Sequence, residues 1–231
     1  MDIVIFGANG PTGRLLVEQA LTAGHRATAV TRDPARFPLH GASLRVVAAD
    51  VHDAKAVASV VAGSDVILSA LGVPYGRKPI TVYSDGASNI LAAMRIHGVR
   101  RFACVSSSAL DPTAGPHGGF FFERVLQPII VNVFGRELYA DMRRMEAIVS
   151  ASDIDWTIVR PSGLFDAADV SDYDYAERYT PGPFTSRADL ANVLLRQATE
   201  NDFARRIVAV SSSDGAPTVG QLIAREALGK K

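Results

Sequence analysis

The stretch VIFGANGPTGRLL, residues 4–16, begins as an apolar run, breaks at glycines 7, 10 and 13, and leaves with helical spacing. The spacing is G-x-x-G-x-x-G rather than the G-x-G-x-x-G of the dinucleotide fingerprint. The order of strand, tight turn and helix N-terminus is nonetheless the one that phosphate binding requires. Glycine lets the main chain come close to a pyrophosphate, while unpaired N–H groups and the helix dipole favour its negative charge. Gly7, Asn9, Gly10 and Gly13 form the candidate cradle, Pro11 suits the first helical turn, and Thr12 can add a hydroxyl contact. The competing reading is a tight turn of purely structural purpose.

Beyond this stretch, apolar runs rich in β-branched residues recur as RATAVT from 26, LRVVAA from 44, DVILSAL from 65, RFACVS from 101, DWTIVR from 155 and RIVAVS from 206. Segments with helical spacing lie between most of them. Leu16, Val17, Ala20 and Leu21 share a face before Gly24. Ile80, Ala87, Leu91 and Met94 mark a long helix ended by Gly98, and Leu138, Met142, Met145 and Val149 mark another. Continuously apolar strands alternating with helices predict an α/β Rossmann fold, a doubly wound and mainly parallel sheet with helices on both faces.

Composition narrows the class further. The 231 residues are 48% hydrophobic and 21% charged, which suits one domain over 1–231 with a buried core. Substrate-side extensions are expected around 115–135 and 164–185, the latter with at most a short strand near 173–179. Lysine plus arginine balances aspartate plus glutamate at 24 each, so no net field points to nucleic acid or an anionic membrane. A small-molecule substrate is the expected partner of a monomer or homodimer. The lone Cys104 stands in an apolar run, reads as an inert buried thiol and fits a reducing cytoplasm. The N-terminus has no secretory pattern. The apolar stretch 120–134 carries Glu123, Arg124 and Pro128 and is shorter than the ~20 residues that span a bilayer.

In open α/β sheets ligands bind outside the carboxyl ends of the strands, so the strand ends are the places to search. The second strand ends in Thr31-Arg32, and a guanidinium there can hold a 2′-phosphate in bidentate fashion, favouring NADP(H) over NAD(H). Arg36 is a candidate second arm. Asp33 is the competing acid for a ribose 2′-OH, but before Pro34 it reads as the N-cap of a short helix. Asp50 and Val51 stand where an adenine amino group and ring face would lie, and Ala70, Leu71 and Gly72 offer a small surface for ribose and pyrophosphate. Ordinary strand-to-helix turn chemistry is the alternative at each place. Ser106, Ser107 and Ser108 end the fifth strand on the expected nicotinamide side, with Ser108 as a substrate-orienting hydroxyl or a plain polar strand end. The five histidines show no metal spacing, and His117, in a glycine-rich loop, could reach a substrate.

Taken in order, GANGPTG, Thr31-Arg32, DV, ALG, SSSA and DWTIVRPSGL cover nearly the whole chain. They resemble the atypical short-chain dehydrogenase/reductase superfamily, in the NAD(P)H-binding group that includes NmrA-like proteins and the biliverdin reductase B (flavin reductase) type. TRDPARFP, SDGASNILAAMRIHGVRRF and SSALDPT closely resemble the latter type. The resemblance implies NADPH held by Gly7 to Gly13, Arg32, Arg36, Asp50, Val51, Leu71 and Gly72. It further implies that Ser108 and the loop from Pro161 through Ser162 and Gly163 to Leu164 lie beside the nicotinamide.

One departure bears on the chemistry. Ordinary short-chain dehydrogenases use Tyr-x-x-x-Lys, where lysine lowers the tyrosine pKa. This chain has Tyr139 and Arg143, and arginine is no simple replacement. The helical pattern places Tyr139 off the core face, as a surface tyrosine or a catalytic acid. Two functions follow. In the first, NADPH delivers hydride to a planar or conjugated acceptor such as a flavin, quinone or enone, solvent supplies the proton, and the protein orients the pair. In the second, NmrA-like reading, the dinucleotide is bound as a redox signal without turnover. Phe120 and Phe121 open the 120–134 stretch, which is expected either to wall an aromatic-lined pocket or to form a dimer contact.

Overall fold

The structure, a computed structural model, describes residues 1–74, 76, 78–111 and 135–212 of the 231. The order of elements is β1 (Asp2–Phe6), α1 (Pro11–Thr22), β2 (Arg26–Thr31), a 3₁₀ turn (Pro34–Arg36), β3 (Leu44–Ala48), α2 (Ala54–Val61), β4 (Val66–Ser69) and α3 (Val82–His97). There follow β5 (Arg101–Val105), a second 3₁₀ turn (Ser108–Leu110), α4 (Arg136–Ser150), β6 (Asp155–Pro161), β7 (Gly163–Phe165), β8 (Tyr173–Glu177), β9 (Phe184–Ser186), α5 (Arg187–Thr199) and β10 (Arg206–Ser212). The main sheet runs β3-β2-β1-β4-β5-β6-β10-β8, parallel throughout except for the antiparallel edge pair β10–β8. Strand order reverses between β1 and β4. A doubly wound sheet has its crevice there, at the carboxyl ends.

Both faces of the sheet are buried along its central strands β1, β4, β5 and β6, which is why these read as apolar runs, whereas the edge strands β3 and β8 are partly exposed. Along β1, Ile3 and Ile5 enter the layer shared with Leu16, Val17, Leu190 and Leu194, whereas Val4 and Phe6 enter the layer with Ile90, Met94 and Met145. Accordingly α1 packs on α5, and α3 packs between α2 and α4. Local sequence sets the ends: Pro11 opens α1, Gly98 closes α3 at φ +70°, and Ser186 caps α5 by accepting the Asp189 N–H at 3.0 Å. Asp141 of α4 is fully buried and accepts the Tyr83 N–H at 2.9 Å, placing a carboxylate at the positive end of α3.

The region 164–185 contains the short strand expected near 173–179, as β8, and also a parallel β7–β9 pair outside the main sheet. Three-residue strands carry no readable period. Their cohesion comes instead from Thr185, whose hydroxyl donates to the Val210 carbonyl at 2.7 Å and accepts the Ser162 N–H at 3.0 Å. Asp189, buried at the start of α5, accepts the Ser171 N–H at 2.7 Å and also the Ser212 hydroxyl of β10, and thereby ties the segment to α5 and the sheet.

A buried cation stabilises the amino ends of the strands. Arg101, 8% exposed, donates to the carbonyls of Gln197 (2.6 Å) and Asp155 (2.6 Å), to Thr157 Oγ1 (2.8 Å) and to Gln197 Oε1 (3.2 Å). Burial pushes the guanidinium down to about 10, so it remains cationic at neutral pH, where it complements the negative end of α5. Arg101→Met should lower the unfolding free energy by roughly 2–4 kcal/mol in urea titrations, because several buried acceptors lose their donor. Arg101→Lys should recover less than half of the loss, since one ammonium cannot span the same acceptors.

Candidate functional site: a dinucleotide crevice at the strand ends

The turn after β1 fits a pyrophosphate through its main chain. Gly7 has φ +72°, and a Cβ there would lie 2.5 Å from the Ala70 carbonyl oxygen and 2.7 Å from the Leu71 nitrogen. A Cβ on Gly13 would fall on the Gly7 carbonyl oxygen and within 2.8 Å of the Ala8 Cα. These two glycines are therefore required by packing alone. Gly10 differs, since a Cβ there would meet only the Gly7 oxygen at 3.3 Å. Gly10 is also the N-cap of α1 and supplies no side chain to its first-turn amides, leaving them for an anion. Asn9 is held from outside, its Oδ1 accepting from Arg14 Nη2 at 2.8 Å.

Arg32 follows β2 and is exposed, and no carboxylate among the described residues stands within ion-pair distance of it. Its charge reaches the neighbouring strand end, where it helps to lower the pKa of Asp50. Arg36 is exposed too, and its Nε lies 3.3 Å from Asp33 Oδ2. The short helix expected after Asp33 is present as the 3₁₀ turn, but the Asp33 carboxylate caps none of its N–H groups. Its backbone, at φ −132° and ψ 88°, is not the extended form that turns a carboxylate onto those amides, and the side chain pairs with Arg36 instead.

Beside β3, the Asp50 carboxylate accepts the His52 N–H at 2.9 Å and lies 2.8 Å from His52 Nδ1. The His52 amide first, then its ring, hold the Asp50 carboxyl below the usual range. Val51 is buried, its carbonyl accepting from Asn89 Nδ2 of α3 at 2.8 Å. A Cβ on Gly86 would lie 3.2 Å from Leu71 Cδ1 and 3.3 Å from Val51 Cβ, so α3 presses both residues into place. Gly72 has open space where a side chain would stand, and Ala70 donates its N–H to the Phe6 carbonyl at 2.9 Å. The sequence reading overlooked Gly86, Asn89 and His52. Their signal was a polar or small residue at a position one turn into a helix or loop, which has many other causes.

At the β5 and β6 ends the three serines separate. Ser106 is 3% exposed and donates its hydroxyl to Glu146 Oε1 at 2.7 Å. Ser107 accepts the Ala109 N–H at 3.3 Å, and half-buried Ser108 opens the 3₁₀ turn. Arg160 grips Glu146 in bidentate fashion, Nε–Oε1 2.9 Å and Nη2–Oε2 2.7 Å, and reaches Asp111 at 3.4 Å. Arg178 reaches the same Asp111 oxygen at 3.3 Å. This buried charge cluster was also missed, because Arg160 reads as the polar end of a strand and Glu146 as a solvated helix residue. Pro161 is buried, the Ser162 hydroxyl lies 3.0 Å from Thr185 Oγ1, Gly163 abuts the Phe184 ring, and Leu164 is exposed.

Tyr139 requires a correction. It is 6% exposed and packs in the core with Met142 and Met145, while Arg143 is exposed. The buried face of α4 is wider than the stripe through Leu138, Met142, Met145 and Val149, so Tyr139 does not lie off the core face. Cys104 is buried as expected, and burial pushes its thiol above the ordinary range. His117, Phe120, Phe121 and the extension around 115–135 lie outside the described residues, apart from Gly135 at its end.

A hollow of about 660 Å³ lies at the opposite end of the sheet, lined by Ser64, His97, Arg100 and Thr199 among others. The carboxyl ends of α3 and α5 line it together with Arg100, Arg101, Asp65 and Asp155. The Arg101 guanidinium is already engaged by carbonyls at the end of α5, and no described helix presents N-terminal amides to an anion there. The glycine turn is the phosphate-compatible end.

Residues 7–201 match the sequence pattern of a family described as NAD(P)H-binding. The chain belongs to the NAD(P)H-binding family. A relative named as an uncharacterized chloroplastic protein, At2g34460 of Arabidopsis thaliana, is 32% identical over 172 residues, 70% of this chain and 59% of that protein. The chain thus spans less than two thirds of that relative's length. Among solved structures, a wide-type short-chain dehydrogenase/reductase from Veillonella parvula in complex with NADP has a TM-score of 0.75 at 17% identity, over 92% of this chain and 95% of that one. The anaerobilin reductase ChuY of Escherichia coli O157:H7 has a TM-score of 0.70 at 20% identity, over 94% and 100%. At such identities the two structures establish the Rossmann fold. No helix among the described residues is long and apolar enough to cross a membrane.

The glycines should separate in mutagenesis. Gly13→Ala should cost several kcal/mol of unfolding free energy, since main chain must move. Gly10→Ala should change stability by about 1 kcal/mol or less yet weaken NADPH by at least about tenfold in fluorescence titration. Equal stability losses would contradict the division of roles.

Proposed function

We propose that this NAD(P)H-binding protein is an NADPH-dependent reductase of a small planar or conjugated acceptor, of flavin, quinone or enone type, with the proton drawn from solvent. The cofactor preference rests on Arg32, an exposed guanidinium at the β2 end beside the glycine turn. A guanidinium at that strand end would bind a 2′-phosphate, a group that NADH lacks. Arg36 stands nearby as a second cation, drawn at present to Asp33. The NADP bound by the Veillonella structure and the reductase activity named for ChuY support the same reading.

When bound, NADPH supplies a hydride donor. The chain's own contribution is to hold and orient. The first-turn amides of α1 and the Thr12 hydroxyl face the pyrophosphate, Val51 and Leu71 wall the adenosine, and Ser108 orients the acceptor near Pro161 to Leu164. Ser106 and Ser107 shape the same strand end, and Ser107 is occupied in capping its 3₁₀ turn.

No described carboxyl or phenol is placed as an obvious acid at that end, which favours the solvent proton. Both carboxylate oxygens of Glu146 are engaged by the Arg160 guanidinium and one also by the Ser106 hydroxyl, and Tyr139 is buried while Arg143 faces out. A reducing cytoplasm suits the one buried thiol.

Steady NADPH oxidation with FMN, dichlorophenolindophenol or a quinone is the expected result of an acceptor panel. Tight binding with no turnover across the panel would contradict the reductase and favour the redox sensor. Arg32→Ala should weaken NADPH by about 10- to 100-fold and NADH by no more than about twofold, since only NADPH carries the phosphate that the guanidinium would hold. Equal weakening of both would refute the phosphate role.

A further inference from the structure

We propose that His52 is a positioning residue for adenine, a strap that fixes the Asp50 carboxylate so that its free oxygen meets the exocyclic amino group. The inference rests on the reading that the adenosine lies at the β2 and β3 ends. His52 makes contacts in two directions. Its Nδ1 lies 2.8 Å from Asp50 Oδ1, and its Nε2 lies 3.2 Å from Thr81 Oγ1, just before α3. The main-chain N–H of His52 donates to the same Asp50 oxygen at 2.9 Å. Oδ1 is thus doubly engaged, whereas no hydrogen bond among the described residues falls on Oδ2.

A carboxylate on a short side chain ordinarily turns about its terminal torsion, which is broad. Two donors on one oxygen remove that freedom and leave Oδ2 as a fixed acceptor. Asp50 and His52 are 48% and 46% exposed in their side chains, so the oxygen is open to a ligand. It stands next to Val51, whose carbonyl and side chain α3 holds through Asn89 and Gly86. The same helix is preceded by Thr81, the outer anchor of the strap. Acceptor and apolar wall are therefore referenced to one element. The amino group of adenine is a donor and matches Oδ2, whereas hypoxanthine presents a carbonyl oxygen at that position and opposes a carboxylate.

The ring's role separates from simple loop packing by the choice of substitution. In His52→Asn the amide nitrogen takes the place of Nδ1 and can still donate to Asp50, although it no longer reaches Thr81. In His52→Gln the amide reaches the Nε2 position and serves Thr81 alone. Dissociation constants for NADPH and for its hypoxanthine analogue are measured by fluorescence titration, so that the readout does not depend on turnover. The wild type should prefer NADPH by about tenfold, the worth of one hydrogen bond to a charged group. The preference should fall to about twofold in His52→Ala and His52→Gln and to an intermediate value of about three- to fivefold in His52→Asn, which keeps the bond to Asp50 but loses Thr81. A preference unchanged in His52→Ala, or equal weakening of both ligands there, overturns the proposal.

If His52→Ala does not fold, Thr81→Val carries the test, because the Thr81 side chain caps no amide of α3. A preference reduced by about twofold or more in Thr81→Val supports the strap, and an unchanged one overturns it. A wild type that binds NADPH without preferring adenine overturns the role of Asp50 and His52 while leaving the NADPH reading intact. A wild type that binds neither ligand ends that reading as well.

Discussion

Everything at the functional end of this molecule depends on a contact that leaves no room for a Cβ. The turn after β1 lies so close to the end of β4 that a side-chain carbon on Gly7 would stand 2.5 Å from the Ala70 carbonyl oxygen, and Gly13 brings α1 onto the same turn. The positive φ of Gly7 turns the chain there, and the absence of side chains lets helix, turn and strand converge. The consequence is an α1 N-terminus aimed across the β1–β4 crevice with its first amides uncapped. Packing thus leaves an N-terminus compatible with a phosphate, and Gly10 is the loop glycine least explained by packing.

The two ends of the sheet are stabilised by different charges for different purposes. At the amino ends, Arg101 satisfies the last carbonyls of α5, at the end of the sheet opposite the glycine turn. At the carboxyl ends, Arg160 joins Glu146 of α4, Asp111 beyond β5 and, through Asp111, Arg178 beyond β8. Arg160, Glu146 and Asp111 are largely buried while Arg178 is exposed, and removing one of the three buried members leaves uncompensated charge, which makes them costly to disturb. The cluster thereby holds the Ser106–Asp111 turn, with Ser108 in it, against the segment that carries β7 to β9.

The fold was legible because the central strands are buried on both faces. RATAVT, RFACVS and RIVAVS are unbroken apolar runs, and their alternation with Pro11-opened and Gly98-closed helices gives the parallel order directly. The β1–turn–α1 unit was legible too, since strand, glycine turn and helix are consecutive in sequence. What escaped were contacts between residues far apart in the chain. Asp141 capping α3, Arg160 gripping Glu146 and Asp189 holding Ser171 join residues that read individually as ordinary solvated side chains. Tyr139 was misplaced because four apolar positions define a stripe but not its width. His52 escaped because a histidine in a turn has no pattern until Asp50 and Thr81 are seen on either side of it.

The proposed function puts a dinucleotide across the carboxyl ends of β1 and β4 with its 2′-phosphate toward Arg32. The decisive measurement is a crystal structure of the protein grown with NADPH. Electron density is expected with the pyrophosphate at the first-turn amides of α1, the adenine beside Val51 and the 2′-phosphate within hydrogen-bond reach of Arg32. Dinucleotide density in the hollow at the opposite end, beside Ser64, His97 and Arg100, or a 2′-phosphate turned away from Arg32 into solvent, would contradict it.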